Sequence, residues 1–194
     1  MAQDTGGTAK RYNQSMARLT HDSDTSLAIS LQGGEMQALE SIIDRYGEPL
    51  LRYVRYLGET TDDADIVQLT FIKVYQNIKS YDVKRKFSTW IYRIAHNTAV
   101  SHLRSKKATW SWDEYLDNFI KVDPVDDIDK KTTIKQVRQC LDNLPIHYKS
   151  PLALHYLEGK SYTEIMDILR LPMGTVSARI NRAKKLMRTL CQKI

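Results

Sequence analysis

The chain has 194 residues, 42% hydrophobic and 27% charged, with a formal net charge of +6. That composition excludes a disordered chain, and the length allows one modest core or two small ones. No apolar run reaches membrane-spanning length and the opening stretch MAQDTGGTAKRYNQS carries no apolar signal segment, so a cytoplasmic protein without membrane insertion is expected. The charge is unevenly placed. From Lys160 onward eight basic side chains face only Glu164 and Asp167, a surplus equal to that of the whole chain, which points to a polyanion as partner. The two cysteines, Cys140 and Cys191, read as reduced thiols on helix faces.

Residues 1–24 are polar and rich in Gly, Thr and Asp, the composition of a disordered N-terminal tail. Helical periodicity follows: Met36, Leu39, Ile42, Ile43, Tyr46, Leu50, Val54 and Leu57 recur at threes and fours. Gly47 and Pro49 predict a kink or break there, and Gly58 closes the segment. A second helix is expected from near Asp62 to about Lys79, and a third from Phe87 to about Lys107. Residues 108–133 lose the periodicity. Between Asp113 and Asp129, Asp113, Glu114, Asp117, Asp123, Asp126, Asp127 and Asp129 face a lone Lys121, which reads as an acidic linker with room for a short aromatic helix around Trp112 to Phe119. Four helices are then expected, over about 134–143, 147–157, 161–169 and 174–190. The fold class is all-α: two small helical domains, 25–107 and 134–194, joined by a flexible acidic linker.

The last two helices have the pattern of a helix-turn-helix. Ser161 and Glu164 form S-x-x-E, a capping box that satisfies free N–H groups at a helix start. Tyr162, Ile165, Ile168 and Leu169 give that helix its apolar stripe. RLPMG supplies the corner, with Pro172 stopping the helix, Gly174 tolerating the turn and Thr175 as N-cap of the next helix. In that helix Val176, Ile180, Ala183, Met187 and Leu190 share one face. Ala178, Asn181, Arg182 and Lys185 point the opposite way, flanked by Ser177, Lys184 and Arg188. An amide and a guanidinium among small side chains suit base edges in a major groove, and the lysines suit phosphates. Arg179, nearer the core edge, suits a phosphate or a packing stem. A plain helical hairpin with a charged outer face is the blander alternative; capping box, corner and one-sided charge together favour DNA reading.

Two features mark the first domain. In DDADIVQLTFIKVYQNIKSY, Val67, Phe71, Val74 and Ile78 make a core stripe, yet Leu69 and Ile72 fall opposite, beside Asp65, Gln68 and Gln76, as a protein-docking face would. In SYDVKRKFSTWIYRIAHNTAVSHLRSKK, Tyr81, Phe87, Trp90 and Tyr92 alternate with cations. Aromatics that stack on bases and cations that hold phosphates grip single-stranded nucleic acid. Phe87, Trp90 and Ile91 serve equally well as core residues of a helix.

At these residues the chain resembles bacterial sigma factors, specifically the small extracytoplasmic-function (ECF) class. DADIVQLTFIKVYQNI, FSTWIYRIAHNTAVSHLR and LPIHYKSPLALHYLEGKSYTEIMDILRLPMGTVSARINRAKKLM follow the family's order and spacing. The resemblance implies a region 2 domain over 25–107, for core polymerase binding and for recognition and melting of the minus-ten element. It implies a region 4 helix-turn-helix domain over 134–194 for the minus-thirty-five element. It assigns Asp65, Gln68, Leu69 and Ile72 to a coiled coil of the largest polymerase subunit, with Leu69 standing where the family commonly has an acidic residue. The minus-ten candidates are Lys86, Phe87, Trp90, Arg93, His96 and Asn97, with Asn97 foremost as base reader. The adjacent aromatic pair with which primary sigma factors wedge the duplex is not apparent, so melting is expected to need a favourable sequence. The minus-thirty-five candidates are Thr175, Ser177, Ala178, Arg179, Asn181, Arg182 and Lys185. The implied partners are core RNA polymerase, through that coiled coil and the flap, promoter DNA, and an anti-sigma protein. The linker is expected to thread toward the polymerase's RNA path.

Rival classes fit less well. The five histidines, His21, His96, His102, His147 and His155, show no metal-ligand spacing, and no phosphate loop or nucleophile motif is present, so neither an enzyme nor a cofactor or metal is expected. A stand-alone helix-turn-helix regulator shares the C-terminal motif, but such proteins usually pair on half-sites, and the sequence offers no heptad helix for dimerisation.

Overall fold

The computed structural model describes residues 23–58, 61–106 and 143–192. All regular structure among them is helical. The N-terminal unit comprises α1 (23–32), α2 (Met36–Leu57), α3 (Asp63–Asn77) with a short 3-10 extension (Ile78–Ser80), and α4 (Phe87–Lys106). The C-terminal unit comprises α5 (Ile146–Tyr156), α6 (Tyr162–Leu169) and α7 (Met173–Gln192). The acidic linker lies outside the described residues, as do residues 1–22 of the expected tail and 134–142 of the expected helix; Ser23 and Asp24 instead open α1, and Asn143 lies in a turn.

Helix α1 was not anticipated. Its Ala28 and Leu31 are buried, and Gln32 Nε2 donates to the carbonyls of Ile78 and Tyr81, both at 2.9 Å, fastening it to the end of α3. Asp24 is held by Arg45 and accepts from the Tyr46 hydroxyl at 2.5 Å. Gly34, at φ +95°, makes the corner into α2, a conformation costly for any side chain with a Cβ.

The expected interruption of α2 is corrected: the helix runs through Gly47 and Pro49 to Leu57. Proline removes one N–H, and the carbonyl that loses its helical donor belongs to Arg45, an exposed residue. Continuity keeps Ala38, Ile42, Tyr46, Leu50, Tyr53 and Leu57 on one buried face. Each large apolar side chain so buried contributes roughly 1.5–3 kcal/mol. Gly58 ends α2 in extended backbone; its role is space, since a Cβ would meet Leu103 Cδ2 at 3.2 Å.

The C-terminal corner is also corrected in detail. Gly174 and Thr175 lie inside α7, and the carbonyl of Pro172 accepts from the Val176 N–H at 3.1 Å, the place an N-cap occupies. Proline suits that start because its missing N–H is one the helix would leave unpaired. The turn is made by Arg170, left-handed at φ 55°, with the Leu171 N–H closing onto the Met166 carbonyl at 3.2 Å. The capping box is present as expected: Ser161 N–H donates to Glu164 Oε2 at 2.8 Å, and Glu164 N–H donates to Ser161 Oγ at 3.3 Å. Cys191 is disulfide-bonded, against the expectation of a reduced thiol; Cys140 lies outside the described residues.

The two units do not stand apart. Helix α2 packs on α5 and α4 packs on α6, and one continuous apolar cluster runs from Ala28 to Ala183.

Candidate nucleic-acid interfaces and docking face

Helix α7 buries Val176, Ile180 and Ala183 completely, and Met187 and Leu190 partly. That rotation leaves Ala178, Asn181, Arg182 and Lys185 exposed along the opposite side, with Thr175, Ser177 and Arg179 half-buried at its margins. The seven residues expected at the minus-thirty-five element therefore share one side of α7. An exposed amide next to a guanidinium on a projecting helix can enter a major groove.

Helix α3 buries Ile66, Val67, Thr70, Phe71 and Val74. Asp65, Gln68, Leu69 and Ile72 fall together on the other side, with Leu69 43% and Ile72 51% exposed. Tyr75, 48% exposed, extends the same stripe one turn further; its position three residues after Ile72 was the available signal and went unread. An exposed apolar stripe with a polar rim is a kind of surface found at protein interfaces.

The minus-ten candidates divide. Asn97 is exposed and Lys86 projects its ammonium. Phe87 is corrected to a core residue: it is 1% exposed, its ring centroid 5.7 Å from that of Tyr46 and 5.3 Å from that of Tyr81. Its place at the first turn of α4, facing α2, takes it out of reach of a base. Trp90 stacks on this cluster, 5.2 Å from Tyr81, but its other side lines a cleft of about 310 Å³ together with Lys86 and Arg93. Arg93 is half-buried there, and burial with Arg170 and Arg85 nearby lowers its pKa. His96 turns inward. Its Nδ1 lies 3.0 Å from the Tyr53 hydroxyl, and burial, reinforced by Arg104, pulls its pKa down to about 4. The ring is neutral at physiological pH and positions Tyr53.

The opposite wall of the cleft comes from α6, through Thr163, Glu164 and Asp167. Lys86 Nζ lies 3.2 Å from Glu164 Oε1. Burial alone would raise the Glu164 carboxyl, but hydrogen bonds from Ser161 and Lys86 hold its pKa below the usual range. Beside the cleft, Glu158 accepts Arg52 Nε at 2.9 Å and Nη2 at 3.0 Å, and the Tyr92 hydroxyl at 2.5 Å. Burial and this carboxylate push the Tyr92 phenol well up. Lys160 Nζ sits 4.4 Å above the Tyr92 ring, within cation–π range. Sequence reasoning missed Arg52 and Glu158, which stand 106 positions apart with nothing local to link them, and read Tyr92 and Lys160 only as one of the interleaved aromatics and as part of the basic tail.

Among the described residues no helix is long and apolar enough to cross a membrane, and no three His, Cys, Asp or Glu side chains are grouped to hold a metal ion.

Comparison with known proteins gives a consistent set of likenesses. Residues 42–109 match Sigma-70 region 2, and residues 134–187 match Sigma-70, region 4. The chain is 34% identical to the ECF RNA polymerase sigma factor SigW of Bacillus subtilis over 80% of its own length and 89% of that protein. It is 30% identical to the ECF RNA polymerase sigma-E factor of Haemophilus influenzae, over 87% of this chain and 95% of that one. Among solved structures, CnrH in complex with the cytosolic domain of CnrY has a similar fold, with a TM-score of 0.67 at 23% identity, covering 88% of this chain and 97% of that one. The sigma factor RpoE in complex with the anti-sigma factor NepR from Bartonella quintana gives 0.61 at 20% identity, covering 79% and 96%.

Proposed function

The chain belongs to the ECF RNA polymerase sigma factors, and we propose from this how its surfaces divide the work of directing polymerase to promoters. The exposed stripe of α3, Asp65, Gln68, Leu69 and Ile72 with Tyr75 added, docks on a coiled coil of the largest subunit of core polymerase. Lys86, Trp90, Arg93 and Asn97 on α4 hold the separated minus-ten strand: the cations take phosphates, Trp90 stacks and Asn97 reads a base. His96 acts from behind, through Tyr53. The outward side of α7 enters the major groove at the minus-thirty-five element, with Asn181 and Arg182 on base edges and Lys185 on phosphate. The C-terminal unit docks on the polymerase flap, the linker threads toward the RNA path, and an anti-sigma protein restrains the whole in the cytoplasm.

The observation that carries this reading is one chain with both an exposed apolar stripe on α3 and an exposed amide, guanidinium and ammonium along one side of α7. A stand-alone regulator has use for the second and none for the first. Transcription in vitro with purified core polymerase on a genomic promoter library tests the assignment. Start sites selected only when the chain is added support it; failure to bind core, or starts unchanged by the chain, reject it.

A further inference from the structure

The charges of the 310 Å³ cleft between the two units do not balance. The segment Lys84–Lys86, Trp90 and Arg93 form one wall, and Thr163, Glu164 and Asp167 of α6 form the other, so four cations face two carboxylates. Glu164 is engaged by Lys86 at 3.2 Å, and Arg85 reaches only the exposed Asp82, at 3.9 Å. Arg93 is half-buried and, among the described residues, forms no ion pair. Arg170, at the corner that ends α6, adds a fifth cation. It and Arg85 both bear on Arg93, with Asp167 alone opposing them. Like charges converging on a half-buried guanidinium are unfavourable until an anion lies among them.

This convergence is not the strand-reading face under another description. Arg170, Thr163 and Asp167 belong to the C-terminal unit and meet Arg93 only because α6 packs on α4. A nucleic-acid strand laid there would also bring its phosphates against Asp167.

Both walls are fixed before any ligand arrives. The Tyr81 hydroxyl donates to the Arg85 carbonyl, the Arg85 N–H to the Asp82 carbonyl at 2.9 Å, and the Lys84 N–H to Asp82 Oδ1 at 3.0 Å. Three consecutive cations are thereby held on a shaped loop. Trp90 is wedged by rings, its centroid 5.2 Å from that of Tyr81 and 5.7 Å from that of Phe87. Opposite, the Ser161–Glu164 capping box sets the first turn of α6 and with it Thr163. Groups already in place bind without the cost of ordering them.

The lining specifies a ligand with two kinds of group. Guanidinia from three elements suit the oxygens of one phosphate, which they grip through paired N–H donors. Asp167 only accepts hydrogen bonds, and Thr163 accepts and donates, so this wall suits hydroxyl groups. The cleft volume is at the small end of ligand sites, enough for a monosaccharide or a mononucleotide. We propose that the cleft binds a small hydroxylated phosphate monoester, its phosphate among Arg85, Arg93 and Arg170 and its hydroxyls on Thr163 and Asp167. Because the walls come from both units, such a ligand stabilises their packing. The proposal goes beyond the sigma reading and does not depend on it, since the free chain alone is the binding species.

Calorimetric titration of the full chain, without DNA or polymerase and in chloride buffer, tests this with three probes: inorganic phosphate, ribose 5-phosphate and adenosine 5′-monophosphate. Ribose 5-phosphate is expected to bind one to one, about tenfold tighter than inorganic phosphate, as one or two added hydrogen bonds would give. Tighter binding still of adenosine 5′-monophosphate identifies a nucleotide site; parity or weaker binding identifies a sugar-phosphate site, and both support the proposal. Arg170→Asn keeps the left-handed corner, which asparagine tolerates, and should weaken the organic phosphates about tenfold. If circular dichroism shows that variant unfolded, Arg93→Gln is read in its place. Asp167→Ala separates recognition from mere attraction: losing a negative charge should tighten inorganic phosphate yet weaken ribose 5-phosphate. Three results each overturn the site. They are organic phosphates bound no tighter than inorganic phosphate, affinities unmoved by the arginine substitution, and a gain for both probes in Asp167→Ala.

Discussion

Asn181, Arg182 and Lys185 lie within five positions on one side of α7, yet their chemistry suits different tasks. A guanidinium on a guanine edge discriminates sequence, whereas an ammonium on phosphate adds affinity everywhere. Arg182→Ala is expected to cost about 1–3 kcal/mol at one promoter position, and Lys185→Ala to weaken all promoters alike. Binding of the polymerase complex to a panel of single-base promoter variants distinguishes them; a uniform loss for Arg182→Ala makes it a phosphate contact. His96 supplies a pH dependence. Its pKa, about 4 in the folded chain against an ordinary 6.5, means that the unfolded chain binds more protons between those values. Stability from this residue is therefore full above pH 6.5 and is lost as pH falls toward 4, on the order of 3 kcal/mol in all. Denaturant titrations across that range should show the loss, and His96→Gln should remove most of its slope.

At the scale of elements, α3 and α6 each serve two ends with opposite faces. On α3 the buried side holds the core and the exposed side carries Leu69, Ile72 and Tyr75. Ile72→Asp is expected to weaken binding to core polymerase by about 1–3 kcal/mol while leaving the melting temperature nearly unchanged, because the side chain is half-exposed in the free chain. Pull-down of core and thermal melts check both halves; a large drop in melting temperature would show that the stripe is structural. Helix α6 depends on its capping box, being only eight residues long. Ser161→Ala should destabilise it by about 1 kcal/mol, read as an earlier unfolding transition. Glu164→Gln keeps the box, since glutamine also serves at that position, and removes only the charge opposite Lys86.

For the whole molecule the governing quantity is reach. An expected linker of residues 108–133 has a contour length of about 90 Å, comparable with the separation of the two promoter elements. Deleting residues 113–129 leaves roughly 30 Å of linker and removes most of its negative charge. The shortened chain should still bind core through α3 but fail to use promoters that require both elements. Transcription assays with normal and shortened spacing would show it; unchanged use of normal promoters would mean that the tether does not set the reach. In the free chain the same tether permits the closed packing of α4 on α6.

Local chemistry made the helices legible. The period of α2, α3, α4 and α7, the Ser161–Glu164 capping box and the one-sided cations of α7 each depend on residues within a few positions of one another. The two family motifs were readable for the same reason. Where local signals conflicted, packing prevailed: Pro49 did not break α2, because burial of Leu50, Tyr53 and Leu57 outweighs one lost helical hydrogen bond. Phe87 could not be told from a base-stacking aromatic until α2 and the Tyr81 segment were seen to enclose it. The contacts between the units lay beyond sequence reasoning altogether. Which carboxylate meets Arg52 depends on how two separately encoded helical surfaces come together, and only the folded chain brings Glu158 there.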